Sequence, residues 1–107
     1  MALTEAQKAD LRQNAAAGAE LLDAKGPWAR YMSEDFSIKS SSRCALTQRF
    51  GSYDEGLVEL NISNEEAWRR GFNLNPDHYY RDEISEVRLE AWRFLDECWV
   101  EEIRQRL

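Results

Sequence analysis

Apolar residues recur at helical spacing near the N-terminus, between polar residues that are typical of helix ends. Thr4 and Gln7 have the spacing of a capping box, which opens a helix, and Gly26 followed by Pro27 is a usual ending. One face of this predicted helix carries Leu11, Ala15, Ala19 and Leu22. Because that stripe is narrow and rich in small side chains, we expect residues 1–26 either to pack closely against a neighbour or to form a loosely attached arm.

The widest apolar stripe lies near the C-terminus and predicts a helix packed into a core. This helix should begin between Pro76 and Asp82 and run nearly to the end of the chain. Its apolar positions are Ile84, Val87, Ala91, Trp92, Leu95, Cys98, Trp99 and Ile103.

The central stretch from Cys44 to Leu57 carries two conflicting signals. An unbroken helical face is formed by Leu46, Phe50, Tyr53, Leu57 and Leu60. Gly51, however, is followed by Ser52 and Glu55 at capping-box spacing, which indicates a new helix. We predict two helices that are kinked at Gly51 and keep nearly one direction. Glycine costs about 1 kcal/mol in a helix interior, so Gly56 should admit a close neighbour, for which Trp92 and Trp99 are candidates.

Short elements fill the remaining chain. Residues 27–32 predict one helical turn in which Trp28 and Tyr31 pin the first helix to the rest. Residues 40–42 are three serines that are cap candidates for the following helix. Ser63 and Glu66 form another capping box, for a helix that Gly71 closes. Two segments alternate apolar and polar residues as strands do, and we predict that they pair as a minimal antiparallel ribbon: 36–39 and 72–75.

These elements predict a mainly α protein: a compact helical single domain spanning residues 1–107, with four to five helices and at most a short two-stranded β-ribbon. A chain of 107 residues with 43% hydrophobic residues can build one core, and 32% charged residues is too many for a membrane protein. We find neither a long apolar run nor a secretory signal, so we expect a cytoplasmic protein without a membrane partner. Cys44 and Cys98 should be reduced, buried and inert.

The net charge of −6 is unevenly distributed. Residues 1–50 carry seven basic and six acidic side chains, a net +1, whereas residues 51–107 carry seven basic and fourteen acidic ones, a net −7. An acidic half repels phosphate backbones, so a nucleic-acid partner is disfavoured.

Catalytic and cofactor signatures are missing from the sequence. The single histidine, His78, has Asp77 and Asp82 nearby, but this set matches no recognised metal-site spacing. Cys44 stands at a predicted helix start, where the helix dipole would lower the pKa of a thiol, yet a small buried residue is equally natural there. No nucleotide-binding or hydrolase motif is present. We therefore expect no enzyme activity, no cofactor and no metal.

Residues 57–70 resemble a helix-turn-helix, which is the alternative function. The turn would lie at Asn61, and Ser63 would cap the second helix. A recognition helix reads bases with its N-terminal residues, and here these include Glu65 and Glu66, which repel phosphates. Arg69 and Arg70 would be left to contact the backbone.

The acidic residues indicate the opposite kind of partner. Five lie close together in the sequence and form the candidate interaction face: Asp54, Glu55, Glu59, Glu65 and Glu66. A charged helix face is most often only solvated. The functional hypothesis is that this face docks on a protein with a basic surface, by steering association or by imitating DNA.

The motif in Cys44 to Leu57, together with residues 71–73 and Trp92, resembles the pattern of a group of small proteins from actinobacteria and their phages. Their pattern is C-x-L-x-Q-x-[FY]-G-x-[YF]-x-x-G-L, followed by G-F-[DN] at residues 71–73 and a C-terminal helix with a tryptophan. This sequence departs from the group at Ala45 and Thr47. The resemblance implies a phage or prophage accessory protein and brings no activity with it. The matching residues are Cys44, Leu46, Gln48, Phe50, Gly51, Tyr53, Gly56, Leu57 and Trp92.

Overall fold

The computed structural model of the protein describes residues 3–76 and 85–107, with side chains from residue 87 onwards in the second range. The chain folds as one mainly α domain, as predicted. Five α-helices and one 3-10 turn (Ala29–Tyr31) are described. The helices are α1 (Glu5–Asp23), α2 (Ala45–Phe50), α3 (Tyr53–Leu60), α4 (Asn64–Arg69) and α5 (Ser85–Gln105).

Three of the predicted helix starts are confirmed by their caps. The Thr4 hydroxyl accepts the Gln7 N–H, and the Gln7 side chain accepts the Thr4 N–H in return, which completes a capping box. Ser52 and Ser63 cap α3 and α4 by accepting backbone N–H groups at 3.0 and 3.1 Å. The serines at 40–42 were wrongly predicted as caps, because the N-cap of α2 is Cys44, whose side chain makes no capping bond.

The first helix is packed against the last one along a stripe of small residues, so it is not a loose arm. Gly18 is buried in this contact. A Cβ atom placed there would lie 2.8 Å from Trp99 Cζ2 and would also overlap the Arg70 carbonyl oxygen. The buried residues of α1 are Leu11, Ala15, Gly18, Ala19 and Leu22.

Trp99 is at the centre of the core and is fully buried. Its ring meets Trp28 edge-on, with centroids 5.9 Å apart, and stacks on Phe72 at 5.4 Å. Its indole N–H donates to the Gly71 carbonyl at 2.7 Å, so its polar atom is satisfied inside the core. Trp28 pins the end of α1 by donating to Asp23, whereas Tyr31 is 60% exposed and does not.

The predicted β-ribbon is wrong, since no strand occurs among the described residues. The Ile38 N–H donates to the Asp96 carboxylate at 2.7 Å, and the Phe72 N–H bonds back to the Ala67 carbonyl. Phe36 and Phe72 instead both pack on Trp99. The alternation of apolar and polar residues therefore reflects two irregular segments that each turn an aromatic side chain into the core.

The break at Gly51 is confirmed, but the predicted direction of α3 is wrong. Gly51 ends α2 with a φ of 105°, a conformation that favours glycine. A Cβ atom at Gly56 would lie 2.7 Å from the Leu46 Cβ. Ten residues of continuous helix span about 15 Å, so this contact requires α3 to return alongside α2. The neighbour that Gly56 admits is thus Leu46, and not Trp92 or Trp99.

Candidate interaction surface

The outward side of α3 presents three carboxylates around an exposed valine. Asp54, Glu55, Val58 and Glu59 are spaced so that they share one side of two helical turns. All four are exposed, and Val58 is 78% exposed. We call these four residues the α3 face. It exists because the apolar stripe of α3 is narrow, with only Gly56 and Leu60 fully buried.

An open groove of about 560 Å³ runs along the α3 face. Its other wall is formed by Lys25 and by Arg49 and Phe50 at the end of α2. The Arg49 guanidinium lies 4.9 Å from the Phe50 ring centroid and donates to the Lys25 carbonyl at 3.3 Å. These contacts hold Arg49 against its own wall of the groove.

The carboxylates of the α3 face are not neutralised within the described part of the chain. No ion pair there involves Asp54, Glu55 or Glu59. Val58 also lines a second groove, of about 420 Å³, together with Leu57 and Ile62. The α3 face therefore combines available negative charge with an apolar strip.

Two of the five predicted interaction residues do not belong to this surface. Glu65 and Glu66 lie on α4 and do not line the groove. Glu65 pairs with Arg69 at 3.0 Å, and Glu66 pairs with Arg70 at 3.4 Å. Their charge is thus compensated locally, in the i,i+4 arrangement that stabilises helices.

Sequence reasoning missed the apolar and basic parts of the groove. Val58 was recognisable, because it lies four residues after Asp54 and falls off the apolar stripe of α3. Phe50 was assigned only to the core, but it is half-buried and lines the groove. The position of Lys25 in the groove could not be predicted from the sequence, because tertiary packing alone brings residue 25 to this site.

The turn at Asn61 and the cap at Ser63 that the sequence predicted between residues 57 and 70 are both present. Asn61 ends α3 in the left-handed conformation with φ 56° and ψ 49°, and Ser63 caps α4. The second helix, however, has only six residues. Arg70 also donates to the Ala17 carbonyl at 3.3 Å, so it holds α4 onto α1. Its guanidinium is thus engaged within the fold and is poorly placed to contact a phosphate.

The motif residues between Cys44 and Leu57 supply much of the packing around α2 and α3. Cys44 and Leu46 are buried, and Leu57 packs against the core. Gln48 fastens the preceding loop, because it accepts the Ser33 N–H at 2.7 Å and donates to the Arg43 carbonyl at 2.6 Å. Trp92 is half-buried on α5.

The two cysteines lie in the interior of the fold. Cys44 and Cys98 are free and buried, as predicted. Burial raises the pKa of the Cys98 thiol, which disfavours the reactive thiolate. His78, Asp77 and Asp82 lie outside the described residues. Within the described ranges, no group of three or more His, Cys, Asp or Glu side chains is arranged to hold a metal ion.

Among the described helices, none combines the length and apolar character needed to cross a membrane. Comparison of the chain with protein-family models, curated proteins and solved structures gives no match. Any functional assignment must therefore come from the residues and their arrangement.

Proposed function

We propose that this protein acts by binding another protein, and that the α3 face docks a basic segment of that partner. The observation that carries the proposal is the arrangement on α3. The carboxylates of Asp54, Glu55 and Glu59, without ion pairs among the described residues, surround the exposed Val58 beside an open groove.

Charge and shape support different parts of this proposal. Unpaired carboxylates on one face raise the rate at which a basic partner associates and orient it before contact. A single exposed apolar side chain is ordinary on a protein surface. Val58 is informative because it lies between two grooves, one lined by Phe50 and the other by Leu57 and Ile62.

The partner's chemistry follows from this arrangement. It should present an apolar side chain to Val58 and lysine or arginine side chains to the carboxylates. The action is non-catalytic and takes place in the cytoplasm, and the resemblance noted above would make the protein a phage or actinobacterial accessory factor.

Affinity capture from a lysate of the source cell tests this proposal with a matched pair of variants. In the first variant, Asp54→Asn, Glu55→Gln and Glu59→Gln remove the charge of the α3 face. In the control, Glu20→Gln, Glu34→Gln and Glu97→Gln remove three exposed charges elsewhere. We expect quantitative mass spectrometry to identify proteins that the wild type and the control retain and that the α3-face variant loses.

Equal retention by all three proteins, or retention of no specific protein, would contradict the proposal. The rival function, a DNA-binding regulator using residues 57–70, makes a different prediction. It requires that the pure protein shift duplex DNA at physiological salt, and that Arg69→Gln with Arg70→Gln abolish the shift.

A further inference from the structure

A separate cavity lies where five described segments of the chain meet, and it shares no lining residue with the α3 face. Its volume is about 270 Å³. The lining includes residues from the 38–41 loop, from the starts of α2 and α3, from the segment after α4, and from α5. We call it the Trp92 cavity, and the residues used below are Ile38, Lys39, Tyr53, Phe72, Asn73 and Trp92.

The walls of the Trp92 cavity are apolar and partly aromatic. Phe72 is 2% exposed, and its ring is held in place by stacking on Trp99 at 5.4 Å. Ile38 is buried, and Trp92 is half-buried on α5. The Phe72 ring is fixed by the core, and the Trp92 indole is more accessible. Together these two aromatic side chains suit a flat apolar group.

Several polar side chains that line the cavity can donate hydrogen bonds, and Ser40 and Ser41 add hydroxyls that can also accept them. Asn73 Oδ1 already accepts the Leu74 N–H at 2.9 Å, which leaves the side-chain NH₂ as the group to offer. Tyr53 also lines the cavity, and its buried hydroxyl faces the Asn73 side chain without a hydrogen bond of normal geometry among the described residues. Buried hydroxyls nearly always have one. Burial raises the pKa of Tyr53, partly offset by the Asn73 side chain, so this hydroxyl is also a protonated donor.

The cavity carries positive charge, although the protein as a whole is acidic. Lys39 is exposed at its rim and makes no ion pair with any described residue. Among the described residues, no carboxylate lines the cavity. Asp96 accepts the Ile38 N–H, and Asp54 follows Tyr53 in the chain, but neither side chain is part of the lining.

We propose that the Trp92 cavity binds a small aromatic carboxylate. The ring lies against Phe72 and Trp92, and the carboxylate faces the Lys39 ammonium and the Asn73 amide. The cavity volume of about 270 Å³ is enough for a single ring with a short acidic side chain.

Titration of the full-length protein with phenylacetate, followed by ¹H–¹⁵N NMR, tests this inference. Phenylacetamide is the matched neutral ligand, since it has nearly the same shape. We expect phenylacetate to shift the Trp92 indole and Asn73 amide signals along a saturating curve, with a Kd of about 0.1–5 mM for a ligand of this size. Phenylacetamide should bind at least about threefold more weakly.

Two lysine variants separate a specific site from general attraction of an anion. Lys39→Gln should weaken phenylacetate binding at least about threefold and remove the preference over phenylacetamide. Lys25→Gln, which removes an exposed lysine at the α3 groove, should leave the phenylacetate affinity and the preference over phenylacetamide unchanged. Absence of saturable shifts at Trp92 and Asn73 up to 20 mM (about four times the upper Kd), equal affinity for the two ligands, or equal behaviour of the two variants would each overturn the proposal.

Discussion

Replacing Gly18 with alanine should destabilise the protein, although alanine is the better helix former. In a helix interior with free space, Gly→Ala stabilises by about 1 kcal/mol. At Gly18 the new Cβ would overlap the backbone oxygen of Arg70 and lie 2.8 and 2.9 Å from two atoms of the buried Trp99 ring. Neither neighbour is the end of a flexible side chain, so α1 must move away from α5.

The size of the effect follows from these opposing contributions. Overpacking of a core costs about 1–3 kcal/mol, and contact with a backbone atom places Gly18→Ala at the upper end. After the gain in helix propensity, we expect a net loss of about 2 kcal/mol in the free energy of unfolding, or roughly 10 °C in Tm. Urea unfolding followed by circular dichroism measures this loss as a lower midpoint at constant slope.

Ala9→Gly provides the reference for helix propensity within the same helix. Ala9 is exposed, so this change should cost only the intrinsic difference of about 1 kcal/mol. If Gly18→Ala were more stable than the wild type while Ala9→Gly lost about 1 kcal/mol, close packing of α1 on α5 at Gly18 would be refuted.

Further predictions concern the polar contacts of Asp96 and Asp23 and the left-handed turn at Asn61. Asp96→Ala should lose about 1–3 kcal/mol by leaving the Ile38 N–H unpaired, whereas Asp96→Asn should retain stability in urea at pH 7; equal losses would contradict this. Burial raises the pKa of Asp96, so ionisation of this carboxyl is less favourable in the folded state than in the unfolded state. The contribution of Asp96 to the free energy of unfolding should therefore increase as pH falls through its folded-state pKa. The Arg106 hydrogen bond lowers the pKa of Asp23, so Asp23 contributes stability above its ordinary pKa of 3.8 that is lost as pH falls through the folded value. In thermal unfolding, Asp23→Asn should lose less stability than the wild type between pH 5 and pH 2, roughly the window in which such carboxylates titrate. An identical dependence of Tm on pH would refute the ion pair between Asp23 and Arg106. Asn61→Gly should keep the stability of the wild type in urea, while Asn61→Val should lose about 1–2 kcal/mol, because only the former tolerates the left-handed turn; similar values for both would contradict the role of that turn.

The parts of the fold that local chemistry determines were predictable from the sequence. Thr4, Ser52 and Ser63 cap helices through bonds to residues three positions away, so the sequence contains both partners. The left-handed Asn61 and the break at Gly51 were predictable for the same reason. Features that depend on distant contacts were not: the return of α3 alongside α2 depends on Leu46 meeting Gly56.

The same distinction applies to the interaction surface. All five carboxylates of the candidate interaction face were grouped because they lie close together in the sequence, and helix geometry places only Asp54, Glu55 and Glu59 on one side of α3. Glu65 and Glu66 were grouped with them by closeness in sequence, although Arg69 and Arg70 at i,i+4 spacing signalled local pairing. The short alternating segments misled the strand prediction, since a period of two over four residues also fits an irregular loop with one buried aromatic ring.

The central claim is that the charge of the α3 face drives association with a basic partner. Its most direct test is the association rate of a captured partner with immobilised protein, measured across ionic strengths of about 20–300 mM, a range over which the Debye length falls severalfold. We expect the wild type and the Glu20/Glu34/Glu97 control to associate at rates that fall with salt, and the Asp54/Glu55/Glu59 variant to associate at least about tenfold more slowly with little salt dependence. Equal rates and equal salt dependence for the α3-face variant and the control would contradict the claim.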